Sequence, residues 1–194
     1  MTGEQKTLFP KTELNVLRDL DRSEVEPLAF KILQTIEPMC EKAQIAGSIR
    51  RRKGAINDID IVVQPRADFW LTIKRTVINE FDAVVEKQGD KLVTLYVPFA
   101  SRQGQGHVQV DLYRASESTW GILLLVRTGS KEHNVHLCNL AISKGQRLLY
   151  SQGVVDKEGR VIAGKTEEEV FEALGLPYII PKEREVAAKE AEAK

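Results

Sequence analysis

Two cysteines, no apolar run long enough for a membrane span and no surplus of charge remove several function classes from this 194-residue chain before any motif is read. Cys40 and Cys138 have no CxxC spacing, so two reduced thiols are expected rather than a disulfide framework. No stretch of about eighteen apolar residues offers a membrane-spanning helix. The opening MTGEQKTLFPKTEL also lacks the apolar centre of a signal peptide. An intracellular protein, cytoplasmic or associated with the nucleoid or nucleus, is expected, with no membrane partner. The 28 basic residues are matched by 28 acidic ones, so bulk charge alone would not hold this chain on nucleic acid.

What charge there is has a pattern. Residues 1–46 carry a net −2 and residues 151–194 a net −3, whereas residues 47–118 carry +2 and residues 119–150 carry +3. A phosphate-bearing ligand, if there is one, would meet this central part, and from charge alone an ordinary mixed surface is the favoured reading. Along the chain, residues 23–43 place Leu28, Ile32 and Ile36 at helical spacing behind a Ser-x-x-Glu start, which predicts a capped helix. Alternation from Ile56 to Val63 predicts a strand with Ile59, Ile61 and Val63 on one side and Asp58, Asp60 and Val62 on the other. A helix is expected over 68–82, and one or two strands over 83–99, ending at Pro98. After the turn SRQGQGH, a second alternating strand sets Val108, Val110 and Leu112 against His107, Gln109, Asp111 and Tyr113.

Beyond residue 118 the composition shifts. A buried run from Trp120 breaks at Thr128-Gly129-Ser130, and a helix capped by Ser130 or Thr128 follows, closing at Gly145. GVVDKEGRVIAG reads as a short hairpin, and KTEEEVFEALG as a helix with Thr166 at its cap and Gly175 past its end.

The stretch with most chemistry is GSIRRRKGAINDIDIVV, residues 47–63. Residues two apart on a strand lie roughly 6.6 Å apart and face one way, so Asp58 and Asp60 present two carboxylates to one surface. Such a pair is destabilising unless cations neutralise it, and hard divalent ions such as Mg²⁺ suit oxygen ligands. Asp111, on a strand that can pair beside the first, would add a third carboxylate. Three carboxylates can hold two ions about 3.5–4 Å apart, the arrangement used in phosphoryl transfer. Gly47 and Ser48 follow a strand-like segment and allow a phosphate to approach the backbone closely. Arg51 or a neighbouring arginine supplies paired donors for phosphate oxygens. Alone, a DxD pair is more often a solvated strand end or a glycosyltransferase-like metal site.

Taken in order, GSIRRRKGAINDIDIVV, VQVDLYR, LLLVRTGSKEHN and KTEEEVFEALGLPYIIPKERE resemble the family X DNA polymerases, the polymerase beta group of the nucleotidyltransferase superfamily. The resemblance implies an α+β fold: a nucleotidyltransferase palm of mixed β-sheet and helices, over 28–118, followed by a smaller α/β thumb over 119–186. An N-terminal segment (1–27) and a charged tail (187–194) flank them. It implies a metal-binding catalytic triad of Asp58, Asp60 and Asp111, with two Mg²⁺ ions and Mn²⁺ as a substitute. It also implies triphosphate ligands at Gly47, Ser48 and Arg51, a turn beneath the sugar at Gly129 and Ser130, and contact between Asn134 and the incoming base. The activity implied is addition of dNTPs to a primer 3′-hydroxyl on gapped or primer-template DNA, in short-gap repair. Template-independent or non-DNA nucleotidyl transfer would use the same apparatus. A non-catalytic DNA-end-binding accessory protein is a third alternative, against which the intact triad argues.

Three departures from the family pattern stand out. Val126 and Arg127 occupy the place of an aromatic pair, which puts Arg127 at the nucleotide and leaves sugar selection open. Gln109 stands where an arginine two before the third aspartate is usual. The N-terminal lyase and DNA-gripping modules of many members are not expected in the residues before the palm, so a repair partner supplying grip is anticipated. His133, His136 and Cys138 lack a fourth matched zinc ligand, so His133 is expected to face DNA and Cys138 to be a core side chain. Arg50 and Arg52 are expected to be solvated neighbours of Arg51, and Glu167–Glu169 a favourable first helical turn.

Overall fold

Strand alternation decides where this chain turns its acidic groups. In the computed structural model, which describes residues 14–185, Ile59, Ile61 and Val63 are fully buried, and Asp58 and Asp60, on the opposite parity, are only partly covered. The elements run β1 (Leu20–Asp21), α1 (Arg22–Ile36), β2 (Cys40–Ile45), α2 (Gly47–Arg50), β3 (Ala55–Ile56), β4 (Asp58–Pro65), α3 (Trp70–Glu80), β5 (Val84–Gln88), β6 (Leu92–Ser101) and β7 (Gly104–Arg114). There follow α4 (Trp120–Thr128), α5 (Lys131–Ser143), β8 (Arg147–Leu149), β9 (Gly153–Val155), β10 (Val161–Ala163) and α6 (Glu167–Ala173).

A five-stranded sheet has the order β2-β4-β7-β6-β5. It is mixed, because β4 and β7 pair in parallel and the other neighbours antiparallel. One face packs on α1 and α3 through Val25, Ala29, Ile32, Ile73 and Val77 against Ile59, Ile61, Leu95, Val110 and Leu112. Burying each of these side chains stabilises the fold by about 1.5–3 kcal/mol. The second unit has its own core, with Ile122, Leu125, Leu137, Val154, Val170 and Phe171 joining α4, α5, α6 and the small sheet β10-β9-β8. A third cluster joins the two, as Trp120, Leu123 and Leu124 of α4 cover Val62 and Tyr113 on the other sheet face. Gly121 allows α4 to lie against the backbone of Thr166, where any Cβ would collide. The α+β architecture expected from the sequence is the one observed.

Several local expectations change. The first helix does not reach residue 43: it ends at Ile36, a 3₁₀ turn covers Glu37–Met39, and Cys40 already belongs to β2. Pro38 has no N–H to continue the helix, and β2 finds its partner in β4. Its cap is Asp21, which accepts from the Ser23 backbone at 2.8 Å, rather than Ser23 itself. Strand β6 does not stop at Pro98 but runs to Ser101. Beyond Tyr96 the β5 neighbour no longer pairs, and an edge tolerates proline. Strand β8 was not anticipated. Ser130 and Thr166 cap α5 and α6 as expected. The charged tail from 187 onward, and residues 1–13 of the N-terminal segment, lie outside the described residues.

Candidate active site

The parallel register of β4 and β7 sets Asp58 beside Gln109 and Asp60 beside Asp111, so three carboxylates from two strands share one face. Their electrostatics show the strain of that arrangement. Burial first, then the charges of Asp58 and Asp111, push the Asp60 carboxyl up to about 7. Burial and Asp111 also raise Asp58, against the pull of Arg18 and Arg51. Asp111 Oδ2 accepts from Gln109 Nε2 at 3.0 Å and from the Tyr113 hydroxyl at 3.3 Å. Its Oδ1 is buried with no partner. Burial and the neighbouring carboxylates raise the Tyr113 phenol, keeping it a donor. Among the described residues no group of three or more Asp, Glu, His or Cys side chains is placed to hold a metal ion as it stands. The donor set nonetheless fits a hard divalent ion: clustered oxygens, excess negative charge and an orphaned buried carboxylate oxygen.

Beside the carboxylates opens a cleft of about 920 Å³, lined by Gly47, Ser48, Arg51, Asp58, Asp60 and the Arg127–Ser130 segment. Gly47 adopts φ 59°, and a side chain there would collide with the Asp60 carboxylate, so glycine brings the backbone of the α2 turn against β4. Ser48 Oγ is buried without a partner. Arg51 donates through Nε to Glu185 at 3.0 Å and through Nη1 to the Thr128 carbonyl. Lys53 Nζ meets the other Glu185 oxygen at 2.9 Å. Ser130 Oγ accepts from the His133 backbone at 3.3 Å, and Gly129, at φ 70°, lies against the Arg51 guanidinium. Asn134 Nδ2 donates to the Val126 carbonyl at 2.8 Å, and its Oδ1 is buried without a partner. The structure thus brings to one cleft every residue of the expected metal and nucleotide sites except Asp111, which stands beside Asp60 on β7 and is not on the cleft wall.

Residues 123–185 match the family model described as DNA polymerase beta thumb. The chain is similar to the family X polymerases. It is 29% identical over 187 residues to DNA polymerase lambda of Rattus norvegicus, covering 85% of this chain and 32% of that protein. It is 24% identical over 187 residues to DNA polymerase/3'-5' exonuclease PolX of Bacillus subtilis (strain 168), covering 90% of this chain and 32% of that protein. Repair DNA polymerase X of African swine fever virus (isolate Tick/South Africa/Pretoriuskop Pr4/1996) is 26% identical over 161 residues, which cover 81% of this chain and 90% of the viral protein. The chain therefore spans about a third of the length of the first two relatives and most of the third.

Several side chains fall elsewhere than expected. Arg50 is not a solvated neighbour of Arg51. It makes paired hydrogen bonds to Glu167 at 2.8 and 2.7 Å and a third to Thr128 Oγ1 at 2.8 Å. Glu167 is correspondingly not just a first-turn charge. Buried at 5% exposure, it also pairs with Arg184 at 2.9 Å. Burial opposes its ionisation, but the two guanidiniums outweigh that and hold it below the ordinary carboxylate range. This network fastens the α2 turn to α6.

His133 cannot face DNA, since it is fully buried 5.8 Å from the Phe171 ring with neither ring nitrogen partnered. Cys138 is half-buried on the cleft wall rather than in the core. Arg127 lays its guanidinium 4.1 Å from the Tyr113 ring centre, which keeps it near the carboxylates through a cation–π contact. Sequence reasoning missed Arg18, Lys53, Tyr113 and Glu185. Only Tyr113 carried a local signal, being on the same strand parity as Asp111.

Proposed function

We propose that this chain is a DNA polymerase that transfers a nucleotidyl group from a dNTP to a primer 3′-hydroxyl, in short-gap repair synthesis. The observation that carries the reading is the parallel register of Asp60 with Asp111, beside a cleft that Asp58 and Asp60 line together with Ser48 and Arg51. Two Mg²⁺ ions, or Mn²⁺ in their place, held by Asp58, Asp60 and Asp111, would supply charge stabilisation at the attacking and leaving oxygens.

The remaining work falls to this chain's own groups. Ser48 Oγ and the Gly47–Ser48 backbone offer donors to the triphosphate, and Arg51 adds charge-assisted ones. At Gly129 the turn provides a floor without a side chain for the sugar, and Asn134 has an unused acceptor for the base. The primer oxygen attacks the α-phosphorus, the bond to the bridging oxygen breaks, and pyrophosphate leaves with the electron pair. The hydroxyl proton passes to an acidic-site carboxylate or water. Gapped or primer-template DNA meets the positively charged central segments.

Primer extension in Mg²⁺, with and without a template strand, tests the proposal. Template-dependent incorporation of the complementary dNTP is expected. Extension that ignores the template would assign the site to end-tailing instead. No extension with either, from protein shown to bind DNA ends, would leave an accessory role.

A further inference from the structure

Residues Asn15–Asp19 lie as a strap along the β6–β7 hairpin. The His107 backbone donates to the Asn15 carbonyl at 2.8 Å, Leu17 donates to the His107 carbonyl at 2.9 Å, and the Asn15 amide reaches the Gln105 carbonyl at 2.8 Å. Gln103 Nε2 donates to the carbonyls of Arg18 and Asp19 at 3.0 and 3.2 Å. Asp19 N–H donates to Asn57 Oδ1 at 2.8 Å. Six hydrogen bonds therefore fix one short segment whose side chains include a single guanidinium. That guanidinium bridges the two acid-bearing strands. Arg18 Nη1 donates to the Asn57 carbonyl at 3.0 Å, immediately before Asp58, and Nη2 donates to Gln109 Oε1 at 3.3 Å. Gln109 Nε2 then donates to Asp111 Oδ2 at 3.0 Å.

The direction of this relay follows from the groups themselves. A guanidinium has only donors and an ionised carboxylate only acceptors, so the amide between them must turn its oxygen to Arg18 and its nitrogen to Asp111. A free glutamine could present either end; Arg18 settles which. With Oδ2 engaged, Oδ1 is the acceptor of Asp111 left unused.

We propose that Arg18 is a positioning residue for the acidic site: acting through Gln109, it orients Asp111 for divalent-cation binding from a segment outside the sheet that carries the carboxylates. This rests on the metal-dependent reading above. Outer partners that orient a metal-ligating carboxylate commonly change metal affinity on the order of 10-fold when removed.

The sign of the effect separates positioning from charge. Taking away a nearby cation would, by electrostatics alone, tighten binding of another cation. Loss of orientation weakens it. The experiment is Mn²⁺ binding to the whole chain, followed by electron paramagnetic resonance without nucleotide or DNA. The proteins compared are wild type, Arg18→Ala, Gln109→Ala, the double variant and Asp60→Asn. Arg18 is exposed, and thermal melting checks that each variant is folded. Each single relay variant should weaken Mn²⁺ binding by about 10-fold. The double variant should be no weaker than the worse single one, because both break the same chain of contacts. Arg18→Lys, which keeps a donor for Gln109, should fall between wild type and Arg18→Ala.

Unchanged or tighter binding in Arg18→Ala, or losses that add in the double variant, would overturn the proposal while leaving the metal site intact. If wild type shows no saturable Mn²⁺ site, or Asp60→Asn binds as wild type does, the metal-dependent reading fails first and the positioning role falls with it.

Discussion

Asp60 and Asp111 stand directly opposite one another on parallel strands, yet only Asp60 reaches the cleft that holds Ser48 and Arg51. Two equivalent-looking carboxylates are thereby given different surroundings, and their substitutions should separate. Asp111→Asn keeps shape and removes one charge, so nucleotide should still bind through Ser48, Arg51, Asp58 and Asp60 while the single-turnover rate falls by on the order of 10²-fold or more. Asp60→Asn should lose both affinity and rate. The measurement is dNTP affinity beside single-turnover rate for each variant. A near-normal rate in Asp111→Asn would make that aspartate structural.

Glu185 bridges Arg51 and Lys53, cations on the wall of the cleft. An incoming triphosphate must compete with that carboxylate for Arg51. Glu185→Gln should therefore bind dNTP tighter, by ~3- to 10-fold for a partly exposed ion pair. Titration by equilibrium fluorescence at fixed ionic strength checks it. Weaker binding would mean that Glu185 holds Arg51 in its working position instead.

Arg127 packs on the Tyr113 ring, whose hydroxyl bonds Asp111. Arg127→Ala should change the ratio of dNTP to rNTP incorporation, or the affinity for both, by several-fold. Arg66→Ala, an exposed control whose side chain meets Glu41 and the Cys40 carbonyl, should change neither. Equal effects would remove Arg127 from nucleotide selection.

His133 supplies a pH test of the fold. Burial foremost, then the nearby charges of Arg184 and His136, push its pKa down to about 4. The native chain keeps the ring neutral while the unfolded chain takes up a proton near 6.5. The stability it contributes is thus fully present above pH 6.5 and is lost as pH falls towards 4, an effect on the order of 3 kcal/mol. Melting temperatures of wild type and His133→Leu between pH 7.5 and 4 should diverge in slope, the variant losing less on acidification. Parallel slopes would assign the acid sensitivity to other groups.

The β4 acidic face was legible in the sequence because strand parity is a local property. Once Ile59 and Ile61 are inward, Asp58 and Asp60 must share the other side. Helix caps at Ser130 and Thr166 were legible for a similar reason, since a cap acts within one turn. The first helix was read too long because apolar spacing continues past Ile36, and only pairing of β2 with β4 reveals that Cys40 belongs to a strand.

Contacts between distant residues are a different matter. Arg50 and Glu167 are separated by 117 positions, and nothing in either neighbourhood announces a buried ion pair. Arg50 and Arg51 are adjacent arginines that sequence alone treats alike. The fold sends one to Glu167 and the other to the cleft. The sequence by itself determined which local segments carry carboxylates, glycines and cations, because periodicity and capping depend on neighbours in the chain. Only the tertiary structure decided that Arg18 reaches Gln109 and that His133 is sealed against Phe171. Such pairings arise when separate elements pack, and the burial that sets their energies exists only after packing.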